Sequence, residues 1–376
     1  MIQTTYAAAQ LAADRIHRYL ATHTVPTQLS ADLGATLPDS TTLAALIDAA
    51  FWTSLRREEG YIPRISLAFV APGQVDNAVA FATSLPLEPK DLIKLAAAVE
   101  RAGLHLGVWP QDGLRVWGIT RNLPALCLVL EVVLPGLLVV KQSPCEESGK
   151  FTNIAVLQGD EIKIIDQQAA ISPAYPSRPS ILSLESQFGR GSTVNVLLQL
   201  AVSMRTHGRG GILLVVPTGS AGWTESILQP ITYSVVPAFS GLADLMRKDA
   251  RDKPTRRWED ALARAVDGIA GLTAVDGATL INADYELLAF GAKIVRRKGS
   301  PQVAQVNVTE PIEGGSPMIA EPAQFGGTRH LSAAQFVHDQ RDAIALVASQ
   351  DGRFTVFAWS QPEGMVHANR IDTLLL

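Results

Sequence analysis

The stretch Gly211-Ile212-Leu213-Leu214-Val215-Val216 carries no polar side chain that could be turned toward water. Successive residues of a strand face opposite sides, so a run apolar throughout reads as a strand buried on both faces. Helix-forming patterns lie on either side of it in the chain. One spans 194–206, and another spans 258–272 with Leu262, Val266 and Ile269 at helical spacing. Two hairpins follow. The first joins 277–281 to 287–294 near Asn282-Ala283-Asp284, and the second joins 343–349 to 354–359 across Asp351-Gly352, a favourable turn pair. A Pro/Gly-rich insertion, 298–326, and a short helix, 331–339, lie between them.

The first half reads differently. An amphipathic helix is expected near the N-terminus from Tyr6, Leu11, Ile16 and Leu20, and a second over 41–57 behind the cap residues Asp39, Ser40 and Thr41. Short β-type runs follow at 65–70, 114–119, 126–133, 137–140, 151–157 and 161–165. One more helix is expected at 89–102, and Gln158-Gly159-Asp160 reads as a hairpin turn. Pro173, Pro176 and Pro179 among serines read as a linker. The expected division is therefore an α+β domain over 1–180, of unreadable role, and a second domain over 185–365. No internal repeat or low-complexity segment is visible.

Composition removes several classes. With 376 residues, 47 % apolar and 18 % charged, the chain has material for two or three packed domains rather than disorder. A net charge of −4 gives no broad field for nucleic acid or an anionic membrane. Cys127 and Cys145 are too few for a disulfide framework or a zinc site, and read as thiols in a reducing compartment. The N-terminus lacks the basic-then-apolar order of a signal peptide. The most apolar stretch, 123–140, is broken by Pro124, Glu131 and Pro135 and is too interrupted to span a bilayer. A cytoplasmic protein is expected.

Four segments of the second half carry a resemblance. Asp276-Gly277-Ala278 enters a strand directly after a helix, and Gly327-Thr328-Arg329-His330 enters a helix. The strand 342–347 runs on to Ser349-Gln350-Asp351, and Arg209 precedes the apolar run already described. In this order and context they resemble the diadenylate cyclase (DAC) family over about 190–360. The resemblance implies an α/β domain with a mixed central sheet flanked by helices, binding an adenine nucleotide or cyclic dinucleotide. It implies Asp276 as the catalytic carboxylate and ligand of Mg²⁺ or Mn²⁺. Gly277, Ala278, Gly291, Gly327, Thr328, Arg329, His330 and Ser332 are the implied nucleotide-binding residues, with phosphates at a helix N-terminus. A cyclase also requires two facing sites, hence a homo-oligomer.

The departures fall on catalytic positions. Leu331 stands where the family has a second arginine, Val275 where it commonly has histidine, and Ser349-Gln350-Asp351 where it has Ser-Glu-Glu. Losing such charged contacts costs powers of ten in rate, at about 1.4 kcal/mol for each. Arg329-His330-Leu331-Ser332-Ala333, Leu55-Arg56-Arg57-Glu58-Glu59-Gly60 and Trp223 with Ser226-Ile227 are similar to a divergent branch described as probable sensor domains (DACNV). The expected function is a nucleotide sensor with an altered site. An active cyclase and a scaffold with a dead site are the alternatives.

Other signals are weaker. Gly189-Arg190-Gly191-Ser192 and Gly208-Arg209-Gly210-Gly211 lack P-loop spacing, so Arg190 or Arg209 is at most a phosphate neighbour. Thr218-Gly219-Ser220-Ala221-Gly222 misses a nucleophile elbow because Thr218 replaces the first glycine, which leaves Ser220 in a loop. Arg56-Arg57-Glu58-Glu59 reads as a solvated helix end. His338 lies two helical turns from His330, too far to share one metal ion.

Overall fold

A computed structural model describes residues 5–23, 36–145, 151–166, 195–248 and 255–376. The chain divides into two compact units, the first ending at Asp166 and the second continuing to Leu375. The expected linker at 170–180 and the Gly189–Ser192 motif lie outside the described residues. Both units combine helices with a mixed sheet, an α/β fold. Among the described residues no helix is long and apolar enough to cross a membrane.

The first unit contains helices α1 (Ala8–His23), α2 (Ser40–Ser54) and α3 (Pro89–Val99). Its strands are β1 (Ser66–Phe69), β2 (Val79–Pro86), β3 (His105–Gln111), β4 (Gly113–Thr120), β5 (Leu128–Leu134), β6 (Leu137–Gln142), β7 (Thr152–Gln158) and β8 (Glu161–Ile164). They form one sheet in the order β2-β4-β3-β1-β5-β6-β7-β8. The Asp39 carboxylate caps α2 by accepting the Thr42 N–H at 2.7 Å, as the sequence pattern predicts. Leu43, Ile47, Leu67, Leu106, Leu130 and Leu138 share the main core with the apolar face of α1. A smaller cluster around Trp117, Val70 and Cys127 covers the other face. Burial pushes the Cys127 thiol up to about 12, so it packs as an inert apolar group.

The second unit contains α4 (Val196–Thr206), β9 (Gly211–Val216), β10 (Tyr233–Phe239), α5 (Gly241–Arg247), α6 (Arg256–Leu272), β11 (Ala278–Asn282), β12 (Leu287–Ala292), β13 (Val306–Thr309), β14 (Met318–Ala320), α7 (Pro322–Asp339), β15 (Ile344–Ala348), β16 (Phe354–Ser360) and β17 (Met365–Arg370). Its nine strands run β10-β12-β11-β9-β15-β16-β17-β13-β14. The apolar run does what its composition requires. Leu213 and Val215 join the core under α4 and α6, while Ile212, Leu214 and Val216 join the core under α7. β15 splits in the same way, with Ile344 and Leu346 on one face and Ala345 and Val347 on the other.

The two units repeat one topology that the sequence does not reveal. In each, a first strand (β1 or β9) is followed by one at the sheet edge (β2 or β10), and then by one helix (α3) in the first unit or two (α5 and α6) in the second. The third strand (β3 or β11) pairs parallel with the first, and the fourth (β4 or β12) folds back antiparallel onto the third and against the edge strand. The fifth strand (β5 or β15) lies antiparallel on the other side of the first. The sixth and seventh continue as a meander. Between its fourth and fifth strands the second unit inserts β13, β14 and α7. Strand order constrains which positions are apolar but not which apolar residues fill them, so topology persists without visible sequence self-similarity.

Burial also sets an acid limit. His105 in the first unit, and His207 and His330 in the second, are held below the ordinary histidine value, chiefly by desolvation. The unfolded chain therefore binds protons from about pH 6.5 downward while the folded chain resists them. Stability is full above that pH and is lost as the pH falls through it. Melting scans from pH 8 to pH 5 are expected to show a flat midpoint down to about 7 and a steady fall below about 6.5. A midpoint that holds or rises toward pH 5 would contradict this account.

Candidate functional site

Register brings the distant motifs to one end of the second sheet. Ala278 pairs with Ile212, Ala278 also pairs with Ala292, and Ala348 pairs with Gly211. The starts of β9 and β11 and the ends of β12 and β15 therefore share that end. Gly208–Gly211, Asp276-Gly277, Gly291 and Ser349-Gln350-Asp351 are thereby gathered although up to about 140 residues separate them along the chain. A hydrogen bond between His207 Nε2 and Thr273 Oγ1, 3.1 Å, ties the first loop to the end of α6.

Asp276 is exposed at the tip of this cluster. Gly277 behind it has φ +107°, and a Cβ there would stand 2.6 Å from the Gly291 carbonyl carbon. The two backbones approach so closely that only glycine fits. On Gly291 a Cβ would meet Tyr233 Cδ2 at 2.8 Å, and the Tyr233 ring stacks on Phe290 with centroids 4.8 Å apart. Tyr233 remains about half exposed beside the glycine pair, a flat face that the sequence reading did not single out. Ala278 is buried as the first residue of β11.

The second motif lies on α7, which does not run straight. Gly327 departs from helical geometry, with φ 71° and ψ −161°, so a fresh helical segment starts behind it. The short helix expected at 331–339 is thus the latter part of a longer, kinked element. Thr328 and Arg329 are exposed at the start of that segment, and Ser332 is half-buried one turn on. The Arg329 guanidinium reaches the sheet end: a Cβ on Gly210 would stand 2.9 Å from Arg329 Nη1 and 3.1 Å from the Ala348 carbonyl oxygen. His330 is not brought to this surface. Its ring is buried, with Nε2 3.2 Å from Thr355 Oγ1, and packs edge-on against Phe325 and Phe357.

The positions that depart from the cyclase pattern are occupied structurally. Leu331 packs against the core under α7. The Gln350 amide donates to the Arg209 carbonyl at 3.4 Å, and Asp351 pairs with Arg353 at 3.4 Å. Asp276 and Asp351 both expose their carboxylates at this end, and no group of three His, Cys, Asp or Glu suited to a metal occurs among the described residues. Mg²⁺ is commonly held by one or two carboxylates together with substrate phosphates. The donor set fits an ion carried in with a nucleotide, not one held by protein alone. Arg209 is exposed beside the same end, whereas Arg190 lies outside the described residues. Ser220 and His338 lie at the opposite end of the sheet, on the wall of a cavity of about 740 Å³.

A family model described as "Probable sensor domain DACNV" matches residues 33–121. That segment covers α2 through β4 in the first unit and includes the Leu55–Gly60 motif, so the match supports a sensor role for this part of the chain. It does not extend to Asp276, Arg329 or any other residue of the gathered site. No curated protein matches the chain.

Proposed function

We propose that the second unit binds an adenine nucleotide or cyclic dinucleotide at the gathered sheet end, and that the chain uses this binding for sensing rather than synthesis. The observation that carries the reading is the contact of Arg329 with Gly210, beside the strand end that leads to Asp276-Gly277. An exposed, planar, always-charged group stands at the start of a helical segment, which is the chemistry a phosphate needs. Thr328 and Ser332 add hydroxyl donors, and the half-exposed Tyr233 ring offers a flat face on which a ligand's base can stack. One Mg²⁺ or Mn²⁺ would be held between Asp276 and the phosphates. Sensing is favoured over turnover because Leu331, Gln350 and the Arg353-paired Asp351 supply no further charge for a leaving pyrophosphate.

The test is a melting series with ATP, AMP and cyclic di-AMP, each with and without Mg²⁺. A ligand at a hundred times its Kd adds about 2.7 kcal/mol to the folded state, a rise of roughly 5–10 °C for a unit of this size. The rise is expected to vanish in Arg329→Ala and to lose its Mg²⁺ dependence in Asp276→Asn. Cyclic di-AMP formed from ATP and Mn²⁺ and abolished by Asp276→Asn would replace the sensing reading with synthesis. No shift with any of the three would leave the scaffold reading.

A further inference from the structure

The topology shared by the two units gives the first unit a counterpart of the gathered sheet end. Leu67 pairs with Leu106, His105 with Thr120 and Ser66 with Glu131, so the starts of β1 and β3 and the ends of β4 and β5 lie together. The spacing along the chain matches as well. Arg64 stands two residues before β1, as Arg209 stands two before β9. β3 begins six residues after the end of α3, as β11 begins six after the end of α6. Gly103 therefore takes the place of Asp276. It has φ +79°, and a Cβ there would meet nothing within 4 Å, so a ligand can approach this backbone and finds no carboxylate on it.

The side chains at this end differ in kind from those of the second unit. Arg64, Arg101 and Arg121 are all exposed, and none makes an ion pair or a side-chain hydrogen bond among the described residues. The backbone around each is nevertheless held. The Ile65 carbonyl accepts the Val132 N–H at 2.9 Å, the Arg101 carbonyl accepts the Leu104 N–H at 3.2 Å, and the Thr120 hydroxyl donates to the Asn122 carbonyl at 3.1 Å. β1, β3 and β4 are neighbours about 5 Å apart, which places the three backbone positions within roughly 10–15 Å of one another, inside the reach of arginine side chains. Of the acids at this end, Glu131 is paired with Lys141 at 2.6 Å, and Glu100 stands exposed beside Arg101. In the turn before β1, Arg56 and Arg57 offset Glu58 and Glu59. The end keeps an excess of positive charge. Each guanidinium there is a planar fork of donors, and the like charges repel until an anion bridges them.

We propose that the first unit binds a small anion carrying a diphosphate group at this sheet end, through Arg64, Arg101 and Arg121 and without a metal ion. Two linked phosphates span the distance between neighbouring arginines and take a bidentate bond from each, which a single phosphate cannot do for all three. Gly103 in place of a carboxylate leaves no ligand for Mg²⁺ at this position. All three arginines fall within residues 33–121, the segment matched by the sensor-domain model, so that segment holds a site for what it senses. The inference does not rest on the nucleotide reading of the second unit.

The experiment follows binding of sodium pyrophosphate by calorimetry to the full chain carrying Arg329→Ala, in EDTA, so that the second unit's arginine and any metal bridge are removed. Orthophosphate and ADP are the comparison ligands. Pyrophosphate is expected to bind at least tenfold more tightly than orthophosphate, and Arg64→Gln, Arg101→Gln and Arg121→Gln should each weaken it at least fivefold. These are surface changes that break no bond of the fold, so melting midpoints should stay at the parent value. Arg264→Gln, at an exposed arginine of α6, should leave binding unchanged. ADP bound more tightly than pyrophosphate would assign the ligand as a nucleoside diphosphate, and ADP bound no more tightly would assign a bare diphosphate group; either outcome supports the site. Absence of pyrophosphate and ADP binding would overturn the proposal, as would equal binding of orthophosphate or a loss in Arg264→Gln as large as in the other three. None of these results bears on the nucleotide site, which is tested with Arg329 and Mg²⁺ in place.

Discussion

Gly277→Ala is expected to destabilise the second unit by about 3–5 kcal/mol, lowering its melting midpoint by roughly 10 °C. Two costs combine. The residue sits at φ +107°, where an L side chain is strained, and its Cβ would stand 2.6 Å from the Gly291 carbonyl carbon and 2.8 Å from its oxygen. Both obstructing atoms are backbone in a paired strand, so no side chain can rotate away to make room. Relief would require β11 and β12 to part at the site end, where Ala278 pairs with Ala292. Gly268 is the control: it lies on the exposed face of α6 with nothing within 4 Å of its Cβ position, and Gly268→Ala should be neutral or stabilising by about 0.5–1 kcal/mol. If Gly277→Ala melts within a degree or two of the parent, the close approach is not what holds this end of the sheet together.

How much of this was readable beforehand depends on where a residue's constraint comes from. β9 was legible because burial on both faces leaves no polar position, and the structure divides its side chains between two cores as that composition demands. The edge strands were not. β2 is exposed or half-buried along its whole length, and β10 exposes Val236 and Phe239 and contains Pro237, so neither shows the periodicity of a half-buried strand. β13 and β14 lay hidden in what reads as a Pro/Gly-rich insertion, because strands of three or four residues are too short to show a period.

The site shows the same division. Asp276, Gly277 and Arg329 could be picked out as local motifs. That Arg329 leans on Gly210, and that Tyr233 stands over Gly291, depends on register between strands distant in sequence, which no local pattern encodes. The far cavity was illegible for a further reason: its walls come from three stretches of the chain, 216–223, 297–301 and 338–343, none of which forms a motif alone. The direction of His330 was hidden too. A histidine after an arginine at a helix start reads as a ligand-facing group, yet helical spacing turns neighbouring side chains about 100° apart, and the next position here points into the core.

That inward turn makes Gly326→Ala the other substitution with a large expected effect. A Cβ at Gly326 would lie 2.0 Å from His330 Cγ and 2.3 Å from both Cδ2 and Nδ1. The ring cannot yield, because Thr355 holds its Nε2 and Phe325 and Phe357 flank it. Overpacking of this kind costs about 1–3 kcal/mol or more, and here it is relieved only by shifting the kink at Gly327 that sets Arg329 against Gly210. Gly326→Ala should therefore lower the melting midpoint and also remove the nucleotide-dependent stabilisation, although Gly326 contributes no side chain to the ligand. A double-mutant cycle separates the steric cause from a general loss of stability. In a His330→Ala background the obstructing ring is gone, so adding Gly326→Ala should cost little, giving a coupling of about 2–3 kcal/mol between the two positions. Additive effects would mean that the ring and the glycine do not compete for the same space. The approach of α7 to the sheet end would then have to be set by other contacts.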